Sequence, residues 1–288
     1  MTINGDTKIP TPHGDLLRRK AKTNPLLGDV VRAYEEFIGG AAALSIIDQD
    51  AVNGLVDLLN VYRNVSVYVF EGGRNVPQET LRSTIMEEFL GWLFKDIFLL
   101  LDVDAPANYV SGRAKRSYIS LEFAPRSFPA IFTTPNPCLH YKDQDFAIGA
   151  RIGIRVKGVD ESAWEQIVLP VVAIECKTYL AKNHLDMCSS TAASLRRGMP
   201  YCMYLILAEF LKMADTVTPE FSDISEVFVV CKAKNGDRKR RKDMGLPPHP
   251  VYADVIWDLF QMVSRHLRSV WWDPESVITR GTVIGRPR

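Results

Sequence analysis

Three apolar runs limit what this chain can fold into more than any other feature. They are Gln166–Lys177 (QIVLPVVAIECK), Tyr201–Ala208 (YCMYLILA) and Glu226–Cys231 (EVFVVC). Each reads as a strand, and the first is continuously apolar enough to be covered on both faces. Ser189–Arg197, between the first two, suits a short helix stopped by Gly198 and Pro200. Two earlier stretches also read as strands: Tyr118–Phe123, which alternates, and Asp145–Lys157 (DFAIGARIGIRVK), with bulges expected at its glycines. Val255–Leu267 closes the pattern with an amphipathic helix. Strands interleaved with helices predict an α/β fold, a mixed β-sheet core flanked by helices.

The segment before this core is helical. Leu27, Val30, Val31, Tyr34 and Phe37 recur at helical spacing over Leu26–Phe37, and Gly39-Gly40 reads as a stop. Asp48 is placed to cap a second helix carrying Val52, Leu55, Val56, Leu59 and Tyr62. A third helix is expected over Gln78–Leu101. Gly72-Gly73 and Pro77 then divide a helical N-terminal region, 1–76, from a core, 77–288, that ends in the C-terminal helix.

Bulk properties exclude several classes. The net charge of +1 provides no overall field to attract nucleic acid, so any such role rests on local patches. Five scattered cysteines with no CxxC pair argue against a disulfide scaffold and against structural zinc. The first residues, MTINGDTKIP, lack a secretory pattern. Phe89–Val103 is interrupted by Lys95 and Asp96 and is too short to span a bilayer. The expectation is a reduced, cytoplasmic protein with no membrane association. No GxSxG, P-loop or GxGxxG occurs, and the five histidines show no metal-site spacing. His266 and Trp271-Trp272 read as packed residues.

The chemistry lies at the end of the first apolar run. Alternate strand residues share a face, so Glu175 and Lys177 point together while Cys176 points away. A buried charge costs several kcal/mol unless paired or ligated. Asp145 begins an earlier strand, and if the two strands are neighbours, Asp145, Glu175 and Lys177 converge. Two carboxylates, with the Cys176 carbonyl, make a hard-oxygen set suited to Mg²⁺. An adjacent ammonium is suited to orienting or deprotonating a water and to opposing charge on a phosphate.

Asp145 with Glu175-Cys176-Lys177 resembles the PD-(D/E)xK motif of restriction-endonuclease-like nucleases. The ordered segments STIMEEFLGWLF, QDFAIG, IECKTYL, TAASLRRGMPY and LILAEF are similar to subunits of the BbvCI-type heterodimeric restriction endonucleases, over roughly Leu81–Phe210. Gln144 stands where the motif has proline. The resemblance implies a restriction-endonuclease-like fold and Mg²⁺-dependent, site-specific hydrolysis of double-stranded DNA. It also implies a helix glutamate joining the site, either Glu87 or Glu88. One site cuts one strand, so a second nuclease subunit is implied, a different chain or a second copy.

Three basic groups are candidates for DNA contact: Arg113, Lys115 and Arg116 before a strand, Arg196 and Arg197 at a helix end, and Arg238, Lys239, Arg240, Arg241 and Lys242 in a Gly- and Pro-flanked loop. Two other readings share these residues. One is a repair or junction-resolving nuclease of the same fold. The other is a non-cleaving DNA-binding or specificity subunit, against which the intact Asp145, Glu175 and Lys177 weigh.

Overall fold

The computed structural model describes residues 9–72, 78–157, 162–214, 216–269 and 273–281. The N-terminal helices are α1 (Pro12–Ala21), α2 (Gly28–Ala43), α3 (Gln49–Gly72), α4 (Gln78–Leu93) and α5 (Ile97–Leu101). There follow β1 (Tyr109–Phe123), α6 (Ala130–Thr133), β2 (Pro137–Lys157), β3 (Ser162–Leu180), α7 (Lys182–Gly198), β4 (Met203–Leu211) and β5 (Glu226–Lys234). The chain closes with α8 (Asn235–Asp243), α9 (Ala253–Arg268) and α10 (Pro274–Arg280).

The sheet runs β1-β2-β3-β4-β5, antiparallel through β3 and parallel beyond it. This is the mixed sheet expected from the strand order. β4 lies between β3 and β5, and its interior residues Tyr204–Phe210 are all buried. One face packs on α3, α4 and α9 through Phe146, Ile148, Val172, Ile174, Leu205 and Leu207. The other face packs on α7 through Ala173, Tyr204, Ile206 and Ala208 against Leu185, Cys188 and Leu195. Phe146 stands 5.8 Å from Phe94, which stacks at 5.8 Å on Phe260 of α9. These rings fix β2 at the residue beside Asp145.

Asp48 caps α3 as expected, its Oδ1 accepting from the Ala51 N–H at 2.9 Å. Gly39-Gly40 does not end α2. A Cβ on Gly40 would lie 2.7 Å from Leu58 Cδ1, so the glycine permits close approach of α3 rather than a stop. The single helix expected over Gln78–Leu101 is broken at Lys95 and Asp96. The Lys95 ammonium donates to the carbonyls of Ala42 (3.3 Å) and Leu44 (2.6 Å) at the end of α2. Asp96 Oδ2 accepts from the Ile46 N–H at 2.7 Å. Both charges thus satisfy backbone groups that the end of α2 leaves open.

A single apolar cluster runs from Leu17 in α1 through Tyr62 and Phe89 to Val263 in α9. Residues 73–77, where the sequence suggests a boundary, lie outside the described residues, as do Trp271-Trp272. Buried ion pairs join the two regions. Arg63 of α3 reaches Glu209 of β4 at 2.7 Å, and Arg82 of α4, which reaches Glu209 at 3.2 Å, also pairs with Glu71 of α3. Burial alone would raise the Glu209 carboxyl, but the two guanidiniums reverse this and hold it at about 2. All five cysteines are free, four of them buried, and no described helix is long and apolar enough to cross a membrane.

Candidate active site

The site forms where two strands part. β2 and β3 stay paired from Lys157↔Ser162 to Phe146↔Ile174, and no rung follows. Beyond that point β2 continues with β1, while β3 continues with β4 as far as Leu180↔Leu211. Asp145 and Glu175 are the first residues past the last rung. The Cys176 N–H donates to Asp145 Oδ2 at 2.9 Å, which ties the fork across its opening. Lys177 Nζ lies 2.5 Å from Glu175 Oε1, so Glu175 and Lys177 share a face and pair, both largely buried.

The neighbouring acids Glu87 and Glu88 separate because consecutive helix residues point in different directions. Glu87 of α4 is 7% exposed and belongs to the fork. Its carboxyl is raised to about 7, by burial first and then by Asp145 and Glu175, with Arg113 and Lys177 opposing. Its Oε2 is buried and has no hydrogen-bond partner among the described residues. Glu88 faces away, toward the helical layer. It accepts from the backbone N–H groups of His13 and Gly14, both at 3.0 Å, and from the Tyr34 hydroxyl at 2.6 Å. Those three donors fasten the start of α1, and they take Glu88 out of the expected site. Burial raises its carboxyl in spite of these bonds. His13, uninformative in the sequence, also contacts Thr84 (2.9 Å) and Tyr62 (2.6 Å), with burial holding its imidazole at about 3.

Desolvation raises the Asp145 carboxyl, and Glu175 adds to it, while the Cys176 N–H, Lys177 and Arg113 oppose. Desolvation would lower Lys177, but Glu175 outweighs it and the ammonium ends above its ordinary range. Three acids of hard-oxygen type therefore surround a fork in which one oxygen, Glu87 Oε2, is buried without a donor. That donor set fits a divalent cation of the Mg²⁺ type. Among the described residues the acids are not drawn together into a group of three or more ligands. Glu175 is turned onto Lys177 instead, so closing around an ion requires Glu175 to leave that ammonium.

The basic candidates divide. Arg113 is exposed beside Asp145, and Lys115 is exposed on the same strand. Arg116 is occupied: it pairs with Glu165, lies 4.5 Å over the Tyr141 ring, and its N–H donates to Asp143 at 3.1 Å. Arg196 and Arg197 sit in the last turn of α7, Arg197 exposed. The run Arg238–Lys242 is not a loop but lies in α8. Glu71, at the end of α3, is the counter-charge that makes this helix tolerable, pairing with Arg238 (3.6 Å) and Lys242 (3.8 Å) on one face. Arg240 pairs with Asp237 at 3.0 Å, and Arg241 Nε donates to the Pro247 carbonyl at 2.5 Å. Lys239 and Arg240 are the exposed cations of α8. The sequence reading missed Lys142, whose ammonium donates to Thr191 of α7 at 2.5 Å. Its only signal was its place three residues before Asp145.

Comparison with known proteins bears on the fold and the family. The chain is similar in fold to a chain of the "native BbvCI A2B2 tetramer at low resolution", with a TM-score of 0.64 and 19% identity, covering 90% of this chain and 97% of that one. No curated protein matches the chain. Residues 78–283, more than half of the sequence and all of the fork, match the Bpu10I restriction endonuclease family. The chain therefore belongs to the Bpu10I restriction endonuclease family, a restriction-endonuclease-like nuclease.

Proposed function

We propose that the chain is a Mg²⁺-dependent type II restriction endonuclease subunit that hydrolyses one strand of a specific double-stranded DNA site. The observation that carries this is the β2/β3 fork, with Asp145, Glu175 and Lys177 at its mouth and Glu87 Oε2 buried in it without a donor. Asp145, Glu175, Glu87 and the Cys176 carbonyl would hold the ion. When bound, such an ion neutralises charge on the phosphate and acidifies water.

The remaining work falls to side chains of the chain. Lys177 enters the site as an ammonium paired with Glu175, and when Glu175 turns to the ion it is released to serve as a hydrogen-bond donor and charge. It orients the attacking water and opposes the negative charge that builds on phosphorus. The water oxygen bonds to phosphorus in line, the bond to the 3′-oxygen breaks, and the ends are 5′-phosphate and 3′-hydroxyl. The water's proton passes to solvent, and the leaving oxygen takes one from solvent. Asp145 keeps the fork at its working width through the Cys176 N–H.

One fork serves one strand, so cutting a duplex requires a second nuclease subunit, a companion chain or a second copy. The likeness to a chain from an assembly titled as an A2B2 tetramer supports a companion. The test is incubation with supercoiled plasmid and Mg²⁺, alone and with the companion chain, beside EDTA and Lys177→Ala controls. Discrete cuts that both controls abolish are expected, with Lys177→Ala still binding DNA. Cutting by Lys177→Ala or Glu175→Ala at the parent rate refutes the proposal.

A further inference from the structure

We infer that Arg113 is a further catalytic residue, a guanidinium that grips a non-bridging oxygen of the scissile phosphate from the β1 side, across the fork from Lys177. The inference rests on the nuclease reading above and adds a residue to it.

Backbone geometry places Arg113 there. Gly112 pairs with Ala147 and Ala114 with Gln144, so Arg113 alone stands opposite two β2 residues, Asp145 and Phe146. This is a β-bulge, a device that re-aims side chains next to functional sites. Gly112 has φ +133°, a conformation that side-chain-bearing residues rarely adopt, so the irregularity is written into the sequence.

Arg113 is also available. It is exposed, and among the described residues its side chain makes no ion pair or hydrogen bond. Its neighbours are engaged: Arg116 with Glu165, Lys142 with Thr191, Lys177 with Glu175. The Arg113 charge acts on both Glu87 and Asp145, so its guanidinium lies within electrostatic reach of the fork. Both are among the residues that would hold the ion, and a divalent cation held by them would leave Arg113 electrically unopposed. A planar fork of N–H donors with a permanent charge is then available to a phosphate that approaches the ion. Arginine stays protonated throughout, so it stabilises charge and moves no proton.

The test uses the full chain, with its companion if cutting requires one. Arg113→Ala and Arg113→Lys are compared with the parent on a plasmid fragment carrying a mapped cut site. Single-turnover cleavage is measured at saturating protein, and DNA affinity in Ca²⁺ as a function of salt. Arg113→Ala is expected to slow cleavage roughly 100-fold or more and to reduce the slope of log affinity against log salt by about 1. Arg113→Lys should restore the slope but only part of the rate, because a point charge replaces the fork. A parental slope in Arg113→Ala overturns the inference, as does a rate within about threefold of the parent. If Glu175→Ala and Lys177→Ala are inactive while Arg113→Ala matches the parent, the inference alone fails. If the parent neither binds nor cuts DNA, the nuclease reading fails.

Discussion

Glu87 makes the metal-free fork unstable, and replacing it with glutamine should show by how much. Burial, and then Asp145, lift its carboxyl from 4.5 to about 7. Between those values the folded chain keeps a proton that the unfolded chain releases, so stability falls as pH rises through that window. The full cost applies above about 7 and disappears below 4.5. Its size is about 3 kcal/mol, from 1.4 kcal/mol per tenfold change in the proton equilibrium. Glu87→Gln keeps the shape and removes the charge. With an unfolding entropy of roughly 2 cal/mol/K per residue, the variant should melt about 5 °C above the parent at pH 8 in EDTA. At pH 5 the gain should shrink below about 1 kcal/mol. Mg²⁺ should raise the parent's Tm and not the variant's, while cleavage by the variant is lost. Thermal melts at the two pH values, with and without Mg²⁺, check all of this. An equal gain at pH 5 and pH 8, or no gain at pH 8, refutes the reasoning.

The other predictions concern residues outside the fork. Glu88→Ala should lower stability by about 3 kcal/mol or more, since it strands three buried donors, while cleavage per folded molecule is retained; urea unfolding with active-site titration tests it. Glu209 is held at about 2, so its contribution is complete above pH 4.5 and is lost as pH falls toward 2. Glu209→Gln should therefore cost about 3 kcal/mol at pH 7 and unfold over a flatter acid range, read by circular dichroism against pH. Lys239→Ala with Arg240→Ala should weaken DNA binding and reduce its salt slope by about 2 with little change in Tm, whereas Arg238→Ala should lower Tm through loss of its Glu71 contact; a salt titration beside a melt separates them.

β3 and β4 were legible because burial on two faces leaves a continuous apolar record, whereas β1 and β2 were legible only in part, beginning at Tyr109 and Pro137 rather than at Tyr118 and Asp145. Asp145 and Glu175 could be brought together on paper only by assuming neighbouring strands. The fork itself has no sequence signal, since it depends on where hydrogen-bonding stops. Helix α1 was missed because its buried residues are His13, Gly14 and Leu17, which carry almost no apolar period. Gly39-Gly40 and Arg238–Lys242 misled for a common reason. Their meaning lies in distant partners, Leu58 for the glycine and Glu71 for the cations, and local propensity contains no information about either. Choosing between Glu87 and Glu88 required the rotation of α4 about its axis, which neighbouring positions in a helix leave about 100° apart.

That rotation has an evolutionary consequence. One acid of the pair fastens the start of α1 and the next reaches the fork, so α4 cannot turn to suit one without displacing the other. Residues of α1 and α2 that lie outside the fork, Tyr34 among them, are thereby tied to its geometry. Substitution rates at His13, Gly14 and Tyr34 should follow those of the active centre rather than those of the surface helices around them.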